Sequence, residues 1–100
     1  MSVLDFFRKK SKAPQKVTSG RFEIERDGEI AYLEYTIAGD ILELIETIVP
    51  EKLRHQGLAA TLAQTGLQYA RDNKLKVDVI CPLVQGFVSK HPEYADLIMR

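Results

Sequence analysis

The stretch EKLRHQGLAATLAQTGLQYARDN, residues 51–73, predicts one helix with an unusual beginning. Small and apolar residues recur along it at three- and four-residue spacing, which is the pattern of a helix with one buried face. The stripe comprises Ala59, Leu62, Ala63, Gly66, Leu67 and Ala70. Glycine inside a helix costs roughly 1 kcal/mol relative to alanine, so we expect the helix to approach a sheet closely at Gly66. Asn73 is predicted to stop the helix in a left-handed conformation.

The beginning of this helix carries no capping side chain. Arg54, His55, Gln56 and Gly57 stand where a Ser, Thr, Asp or Asn would be expected. A helix start exposes unpaired N–H groups and a partial positive charge, so the cations there, which include Lys52, are unfavourable. A phosphate would bind both the amides and the cations. The alternative is a helix start capped by water with solvated cations.

Three strands are predicted before the helix. Hydrophobic alternation begins at Phe22, and Asp27-Gly28 between two alternating runs is a strong hairpin signal. The second run, residues 29–38, ends at the turn Gly39-Asp40. The third run, residues 41–49, is nearly continuously apolar, which predicts a central strand covered on both faces.

A fourth strand and two short elements follow the helix. KVDVIC, residues 76–81, predicts the strand, which Pro82 ends. LVQGFVSKH predicts a short helix, and HPEYADLIM a further extended or helical piece. Because the third and fourth strands flank a helix, they should form a parallel βαβ unit. The sequence therefore predicts a mixed α/β (α+β) fold, an antiparallel meander followed by a βαβ unit.

Length and composition indicate one folded domain. The chain has 100 residues, of which 45% are hydrophobic and 28% charged. A formal net charge of zero argues against binding to nucleic acid. The single cysteine excludes a disulfide framework and favours a reducing compartment. No apolar run approaches the roughly 18–20 residues of a membrane span, and no secretory signal is recognised, so a cytoplasmic location is expected.

Residues 1–20 differ in composition from residues 21–100, which we take as the folded domain. An apolar start, VLDFF, precedes the cationic run RKKSK, and Pro14 and Gly20 follow. This segment is predicted to be a tail or a short helix. It is either a basic amphipathic piece that touches a membrane or partner, or a loosely docked terminus.

The sequence also resembles a known family. R-H-Q-G-L-A, residues 54–59, matches the [Q/R]-x-x-G-x-[G/A] pyrophosphate loop of the GCN5-related N-acetyltransferases. VP at 49–50, CPLV at 81–84 and HPEYADL at 91–97 follow the order and spacing of the small branch of that superfamily, whose members have about 100 residues. Residues 22–98 therefore resemble that branch.

The resemblance implies a reduced acetyltransferase fold that binds acetyl-CoA. In this superfamily the third and fourth strands splay apart, and the pantetheine would lie between them. The amides of residues 56–60 would hold the pyrophosphate, and backbone groups of Ile48 and Val49 would pair with the pantetheine amides. The implied cofactor-binding residues are Ile48, Val49, Arg54, His55, Gln56, Gly57, Leu58, Ala59 and Ala60.

The chain departs from the branch before its proline. Relatives often carry His-Thr-Glu-Val, whereas this chain has Glu46, Thr47, Ile48 and Val49. A base supplied by the histidine or the glutamate of relatives cannot be carried over. Glu46 is a candidate to take a proton from an ammonium substrate. Alternatively, it is a half-exposed strand residue paired with a cation.

Two further residues are candidates for chemistry. The resemblance places Cys81 near the acetyl group, where it would be acetylated or would line the pocket, and a small buried hydrophobe is the alternative. Tyr94 is a candidate to protonate the leaving thiolate, with a packing role as the alternative. His55 and His91 lie far apart and give no metal-ligand spacing with one cysteine.

Three functions remain open on the sequence. The first is an acetyl-CoA-dependent N-acetyltransferase that acts by direct transfer on an unidentified small-molecule or protein amine. The second is a module that binds CoA or acetyl-CoA with little or no turnover. The third is a protein-interaction domain whose basic loop meets an acidic partner.

Overall fold

A mixed sheet of four strands, in the order β1-β2-β3-β4, forms the centre of the molecule. The computed structural model describes residues 17–99. β1–β2 and β2–β3 pair antiparallel, and β3–β4 pair parallel across an intervening helix. The elements are β1 (Val17–Arg26), β2 (Glu29–Ala38), β3 (Ile41–Ile48), α1 (Leu58–Asp72), β4 (Lys76–Val79) and α2 (Pro82–Ser89), with 3-10 turns at Glu51–Leu53 and Pro92–Leu97. The predicted meander and βαβ unit are confirmed.

The first strand begins earlier than its hydrophobic alternation. β1 starts at Val17, whereas the pattern becomes visible only at Phe22. Gly20 has no side chain that could contribute to the hydrophobic alternation. In the sheet it pairs with Tyr35 of β2. A Cβ at Gly20 would lie 2.6 Å from the Tyr35 hydroxyl oxygen, so the tyrosine covers the glycine. Of the predicted tail, residues 1–16 lie outside the described residues, and residues 17–20 belong to β1.

α1 packs closely against the inner face of the sheet. Leu33 of β2 and Leu44 of β3 are fully buried beneath it. A Cβ at Gly66 would lie 3.2 Å from a methyl group of each leucine. The predicted close approach at Gly66 is confirmed, because a larger residue would crowd both side chains.

β3 is covered on one face, and the prediction that both faces are covered is wrong. Leu42 and Leu44 are fully buried, whereas the alternate residues Ile41 and Glu43 are only half-buried. Ile48, at the end of the strand, is 38% exposed. The reason is that both helices contact β3 and each other, so they pack on the same face. In the described chain, the opposite face, here called the outer face, carries no helix.

The two ends of α1 are formed by backbone geometry. The helix begins at Leu58, so the 51–73 stretch divides into a 3-10 turn, a loop and α1. At the other end the left-handed residue is Lys74, with φ 59°, and the prediction of Asn73 is wrong by one position. The amides of Lys74 and Leu75 donate to the carbonyls of Arg71 and Ala70, at 3.3 and 2.8 Å. These two hydrogen bonds are typical of a helix end at which the residue after the C-cap is left-handed.

β3 and β4 separate after Leu44 and Val79, where their parallel pairing ends. The amides of Ile80 and Cys81 both donate to the Leu44 carbonyl, at 2.9 and 3.0 Å. β4 is therefore shorter than the predicted strand, and Cys81 is the N-cap of α2. On its other side β3 has a bulge, because the register against β2 passes from Leu44 to Glu46 and leaves Ile45 extra. We call the separation of β3 from β4 after Leu44 and Val79 the strand split.

Candidate functional site

A groove opens at the strand split and runs to the start of α1. Its volume is about 330 Å³, which lies within the range of ligand-binding pockets. The end of β3 forms one wall, and the loop before α1 forms the other. Its lining comprises residues 47–49, Leu53, Arg54, His55, Gly57, Leu58, Ala59 and Leu83. We call it the split groove.

The loop that enters α1 is held in an uncommon conformation. His55 and Gly57 both have left-handed φ angles, 67° and 76°. For a residue other than glycine this conformation costs about 1–2 kcal/mol, so the surrounding structure must hold His55 in place. Two side chains brace the loop: Arg54 Nε donates to the Val49 carbonyl at 3.1 Å, and Arg26 Nη1 donates to Gln56 Oε1 at 3.4 Å.

The amides at the start of α1 are free of protein acceptors among residues 17–99. No side chain caps the helix at Gly57. The first amide with a partner is that of Thr61, which donates to the Gly57 carbonyl at 3.1 Å. The amides of residues 56–60 find no acceptor in the described chain. A Cβ at Gly57 would meet no atom within 4 Å, so the space beside these amides is open.

The cations around the loop differ from those predicted. Arg54 and His55 line the split groove. Lys52 does not, because it lies on the 3-10 turn, is 81% exposed and faces Glu29 at 3.9 Å. Arg26 adds a cation beside Gln56 that the sequence did not suggest. The positive charge near the helix start therefore comes from two segments of the chain.

Some of the backbone groups at the end of β3 already have partners within the protein. Ile48 pairs with Tyr32 of β2, and beyond Leu44 the opposite edge of β3 has no strand partner among the described residues. The Val49 carbonyl already accepts from Arg54. The remaining groups of this open edge are available for an extended ligand, which would lie where β4 would otherwise continue.

Thr47 and Cys81 lie together at the base of the split. Thr47 is 8% exposed and Cys81 is 2% exposed. Their Oγ1 and Sγ atoms are 3.3 Å apart and form a hydrogen bond. The thiol is free of any disulfide and is surrounded by core, which is the environment of a small buried residue.

Glu46 lies on the other side of the sheet. Neighbouring strand residues point to opposite faces, so Glu46 is exposed on the outer face while Thr47 is buried on the inner face. Glu46 stands opposite Glu34 of β2 in the register. Two carboxylates of like charge directly opposite each other are destabilising unless a cation binds between them. Glu46 and Cys81 thus flank the split from opposite faces.

Tyr94 is set apart from the split groove. It is 6% exposed, and its ring centroid lies 6.2 Å from that of Phe87 and 5.8 Å from the Arg71 guanidinium carbon. Its neighbours therefore belong to α1 and α2, away from Glu46 and Cys81. This location agrees with the packing role considered from the sequence.

The site also includes residues that were not predicted. Thr47 and Leu83 both line the split groove. A signal for Thr47 was present, since it is a polar residue at an inward strand position. Arg26 gave no local signal, because it reaches Gln56 only after the β1–β2 hairpin has brought two distant segments together.

Two other kinds of site are absent from residues 17–99. No helix there is long and apolar enough to cross a bilayer. No group of three or more His, Cys, Asp or Glu side chains there could hold a metal ion.

Comparison with known proteins agrees with the fold. A sequence model described as "GCN5-related N-acetyl-transferase" matches residues 21–97. The fold is similar to a crystal structure of a "putative acetyltransferase from Agrobacterium tumefaciens", with a TM-score of 0.54 and 21% sequence identity. The match covers 81% of this chain and 61% of that chain, so this chain spans about three fifths of the length of the solved protein.

Proposed function

Because the chain belongs to the GCN5-related N-acetyltransferase family, we propose that it transfers the acetyl group of acetyl-CoA directly to an amine. The split groove is the binding site in this proposal, and a reducing, cytoplasmic compartment is its setting. The observation that carries the proposal is the set of free amides at residues 56–60, of which Gly57, Leu58 and Ala59 line that groove.

The residues present fit the pyrophosphate of the cofactor. An oxyanion accepts hydrogen bonds from several helix-start amides and is favoured by the helix dipole. Arg54 and His55 line the same groove and add donors. The left-handed φ of Gly57 directs the chain into the helix without a side chain over the amides. The loop is thus preorganised for an anion, since bracing by Arg26 and Arg54 requires no ligand.

The open edge of β3 would hold the pantetheine. A chain of amides laid along residues 47–49 would take the place of the missing part of β4. Leu83, which is 55% exposed, would cover its apolar atoms from α2. Because the Val49 carbonyl accepts from Arg54, the Val49 N–H is the group of that residue left for this pairing.

The chemistry requires an activated thioester and a free amine. When bound, acetyl-CoA supplies a thioester whose carbonyl carbon is open to attack by an amine nitrogen. Glu46 would accept the proton of the incoming ammonium group, directly or through water. Its outer-face position leads us to place the acceptor on that face, opposite the Thr47–Cys81 pair. In direct transfer Cys81 forms no bond to the acetyl group; it is buried against Thr47, which lines the groove.

One observation favours the second candidate, a module that binds CoA with little turnover. The three residues predicted for chemistry do not converge, since Tyr94 is packed between α1 and α2. A proton donor for the leaving thiolate is therefore not identified within residues 17–99. Binding without turnover needs only the loop and the open edge of β3.

Release of free thiol separates the two functions. Acetyl-CoA is mixed with the protein and a panel of amines, including an aliphatic diamine and a lysine peptide, and the thiol is detected with a chromogenic disulfide. Amine-dependent release above the rate without protein supports transfer. If CoA stabilises the protein against heating but no amine gives release, the binding module is the better description. If CoA gives no stabilisation, both functions fail.

A further inference from the structure

The outer face of the sheet exposes apolar side chains that no part of residues 17–99 covers. Ile30 of β2 and Ile48 of β3 are 42% and 38% exposed there, and Ile41 is half-buried. A sheet face with several β-branched apolar residues is ordinarily packed against a second layer. Both helices of the described chain lie on the inner face, so they do not supply that layer.

The same face is acidic. Glu34 of β2 stands opposite Glu46 of β3, and Glu43 of β3 stands opposite Asp78 of β4. Neither Glu34 nor Glu46 forms an ion pair with another of residues 17–99. Facing carboxylates repel each other unless a cation binds between them. The Glu34–Glu46 pair therefore favours a positively charged partner from outside this part of the chain.

Arg21 does not supply that cation. It pairs with Glu34 in the register of β1 and β2, with β2 between it and Glu46. Its Nε and Nη2 both donate to the Glu23 carboxylate, at 3.0 and 2.6 Å, and its guanidinium carbon lies 4.0 Å from the centroid of the Tyr32 ring. The charge of Arg21 is thus already paired along its own strand.

Residues 1–16 carry the charge that this face lacks. They contain five Lys or Arg residues and one Asp, a net charge of +4. The whole chain has 14 residues of each sign, so residues 17–100 carry a net charge of −4. The positive charge is concentrated in the cationic run RKKSK, residues 8–12, which follows the apolar run VLDFF, residues 3–7. The two runs match a face on which isoleucines lie beside carboxylates.

The order of the groups along this segment also matches their order on the face. Val17, the first residue of β1, directly follows the segment. The Glu34–Glu46 row lies four residues along β1 from Val17, roughly 13 Å, and the row of Ile48 lies two residues further. Pro14 is a residue typical of turns. A chain that reverses there brings the cationic run over the carboxylates and the apolar run over the isoleucines beyond them.

We propose that residues 1–16 bind the outer face of their own sheet, with the cationic run against the Glu34–Glu46 pair and the apolar run against Ile30 and Ile48. The segment would supply both the missing cation and the missing layer. The inference goes beyond the proposed function and does not depend on it, since a module that only binds CoA would have the same face. In a transferase, an acceptor amine would have to displace the cationic run to reach Glu46.

Zero-length cross-linking of the full chain tests the contact. A carbodiimide joins a lysine amine to a carboxylate where the two groups touch, and peptide mass spectrometry identifies the pair. In dilute solution at low salt, the lysines of the cationic run should link to Glu34 or Glu46 about fivefold more often than to Asp72 or Glu93, because the attraction acts over only about 10 Å. The last two carboxylates are matched controls, since both are exposed on elements of the helical side.

The sign of a stability change gives a second test. Without docking, Glu46→Gln relieves repulsion from Glu34 and should raise the melting temperature. With docking, the same substitution removes a partner of the cationic run and should lower the melting temperature by about 1–4 °C. Replacing the first three residues of the cationic run with glutamine should restore the rise. Asp72→Asn, the control, should shift the melting temperature equally in both backgrounds.

Three results would overturn the inference. The first is equal linking to all four carboxylates, and the second is a change of the same sign for Glu46→Gln in both backgrounds. The third is linking only between isotopically distinct chains in a mixed sample, which would assign the outer face to the segment of a second copy. Equal linking together with cosedimentation on vesicles of phosphatidylcholine and phosphatidylserine would assign the segment to a membrane surface. None of these measurements involves CoA, so the proposed function stands or fails separately.

Discussion

The Thr47 hydroxyl oxygen lies 3.3 Å from the Cys81 sulfur, across the point at which β3 and β4 separate. Both side chains are almost completely buried. The contact joins the end of β3 to the first residue of the α2 segment, after the strands have ceased to pair. A side-chain hydrogen bond therefore bridges the split at this point.

Cys81→Ala tests whether this thiol takes part in the reaction. Direct transfer predicts that the variant keeps amine-dependent thiol release within about threefold, since the buried sulfur forms no bond to the acetyl group. Stability should fall by about 1–3 kcal/mol, because a buried sulfur is removed and the Thr47 hydroxyl loses its partner. Urea unfolding measures the second effect. A complete loss of thiol release by a folded variant, or an acetylated Cys81 in the mass spectrum of the wild type, would contradict direct transfer.

Glu46→Gln should lower the rate of transfer without affecting the cofactor. Loss of a general base typically costs a factor of about 10²–10⁴ in rate. The affinity for CoA should stay within about twofold, since the side chain points away from the split groove. Glu34→Gln is the control, because it removes the carboxylate directly opposite in the register. Equal rate losses in the two variants would indicate that the pair acts through its charge and that Glu46 has no special role.

Two glycine substitutions separate helix propensity from packing. Gly86 in α2 has no atom within 4 Å of its Cβ position, so Gly86→Ala should stabilise the protein by about 0.5–1 kcal/mol. Gly66→Ala gains the same propensity but places a methyl group 3.2 Å from Leu33 and Leu44. Overpacking of a core costs about 1–3 kcal/mol, so we expect a net loss of about 1 kcal/mol. Urea unfolding that gave the two variants equal stability would show that α1 moves freely away from the sheet.

The C-terminal turn makes stability depend on pH. Arg71 hydrogen-bonds to Asp96 at 3.1 Å and holds the pKa of that carboxyl below its ordinary value of 3.8. The ion pair therefore contributes stability above pH 3.8, and the contribution is lost as the pH falls through the lowered folded value. Asp96→Asn should be less stable than the wild type at pH 6. The difference in free energy of unfolding should shrink as the pH falls below 3.8 and through the lowered pKa of Asp96. Chemical unfolding at a series of pH values measures it.

The matched control for this pair is Asp40→Asn, at an exposed turn. It should give a smaller difference at every pH. Glu93, whose pKa is lowered by a backbone hydrogen bond, is present in all three proteins and cancels in the comparison. A wild-type advantage over Asp96→Asn that persisted unchanged at the lowest pH would contradict the role assigned to Arg71.

Local backbone rules explain why several features could be predicted from the sequence. Asp27 and Gly28 both have positive φ, as their hairpin turn requires, and this preference belongs to the two residues themselves. Gly66 was informative because glycine destabilises a helix interior, so its presence there predicted close packing against the sheet, which the structure shows. The absence of a cap before Leu58 was likewise readable, since capping depends on residues next to the helix.

Features that depend on distant residues were missed or misplaced. The apolar run of β3 gave no sign that both helices would cover the same face, because that depends on how α1 and α2 pack together. Arg26 reaches Gln56 from the far end of a hairpin. Glu46 and Cys81 were both near the split in sequence terms, but the bulge at Ile45 shifts the strand alternation and puts Glu46 on the outer face. Such relationships follow from tertiary packing, which residue preference alone does not determine.

The measurement that tests the central claim most directly is calorimetric titration of acetyl-CoA into three proteins: the wild type, Gly57→Glu and Gly28→Glu. Both glycines have left-handed φ and open space at their Cβ positions, so the backbone strain of the two substitutions is matched. Only Gly57 lies at the free amides of the split groove. We expect one acetyl-CoA to bind per chain of the wild type and of Gly28→Glu, and no binding to a folded Gly57→Glu. Equal binding by all three proteins would contradict the assignment of the helix start as the pyrophosphate site.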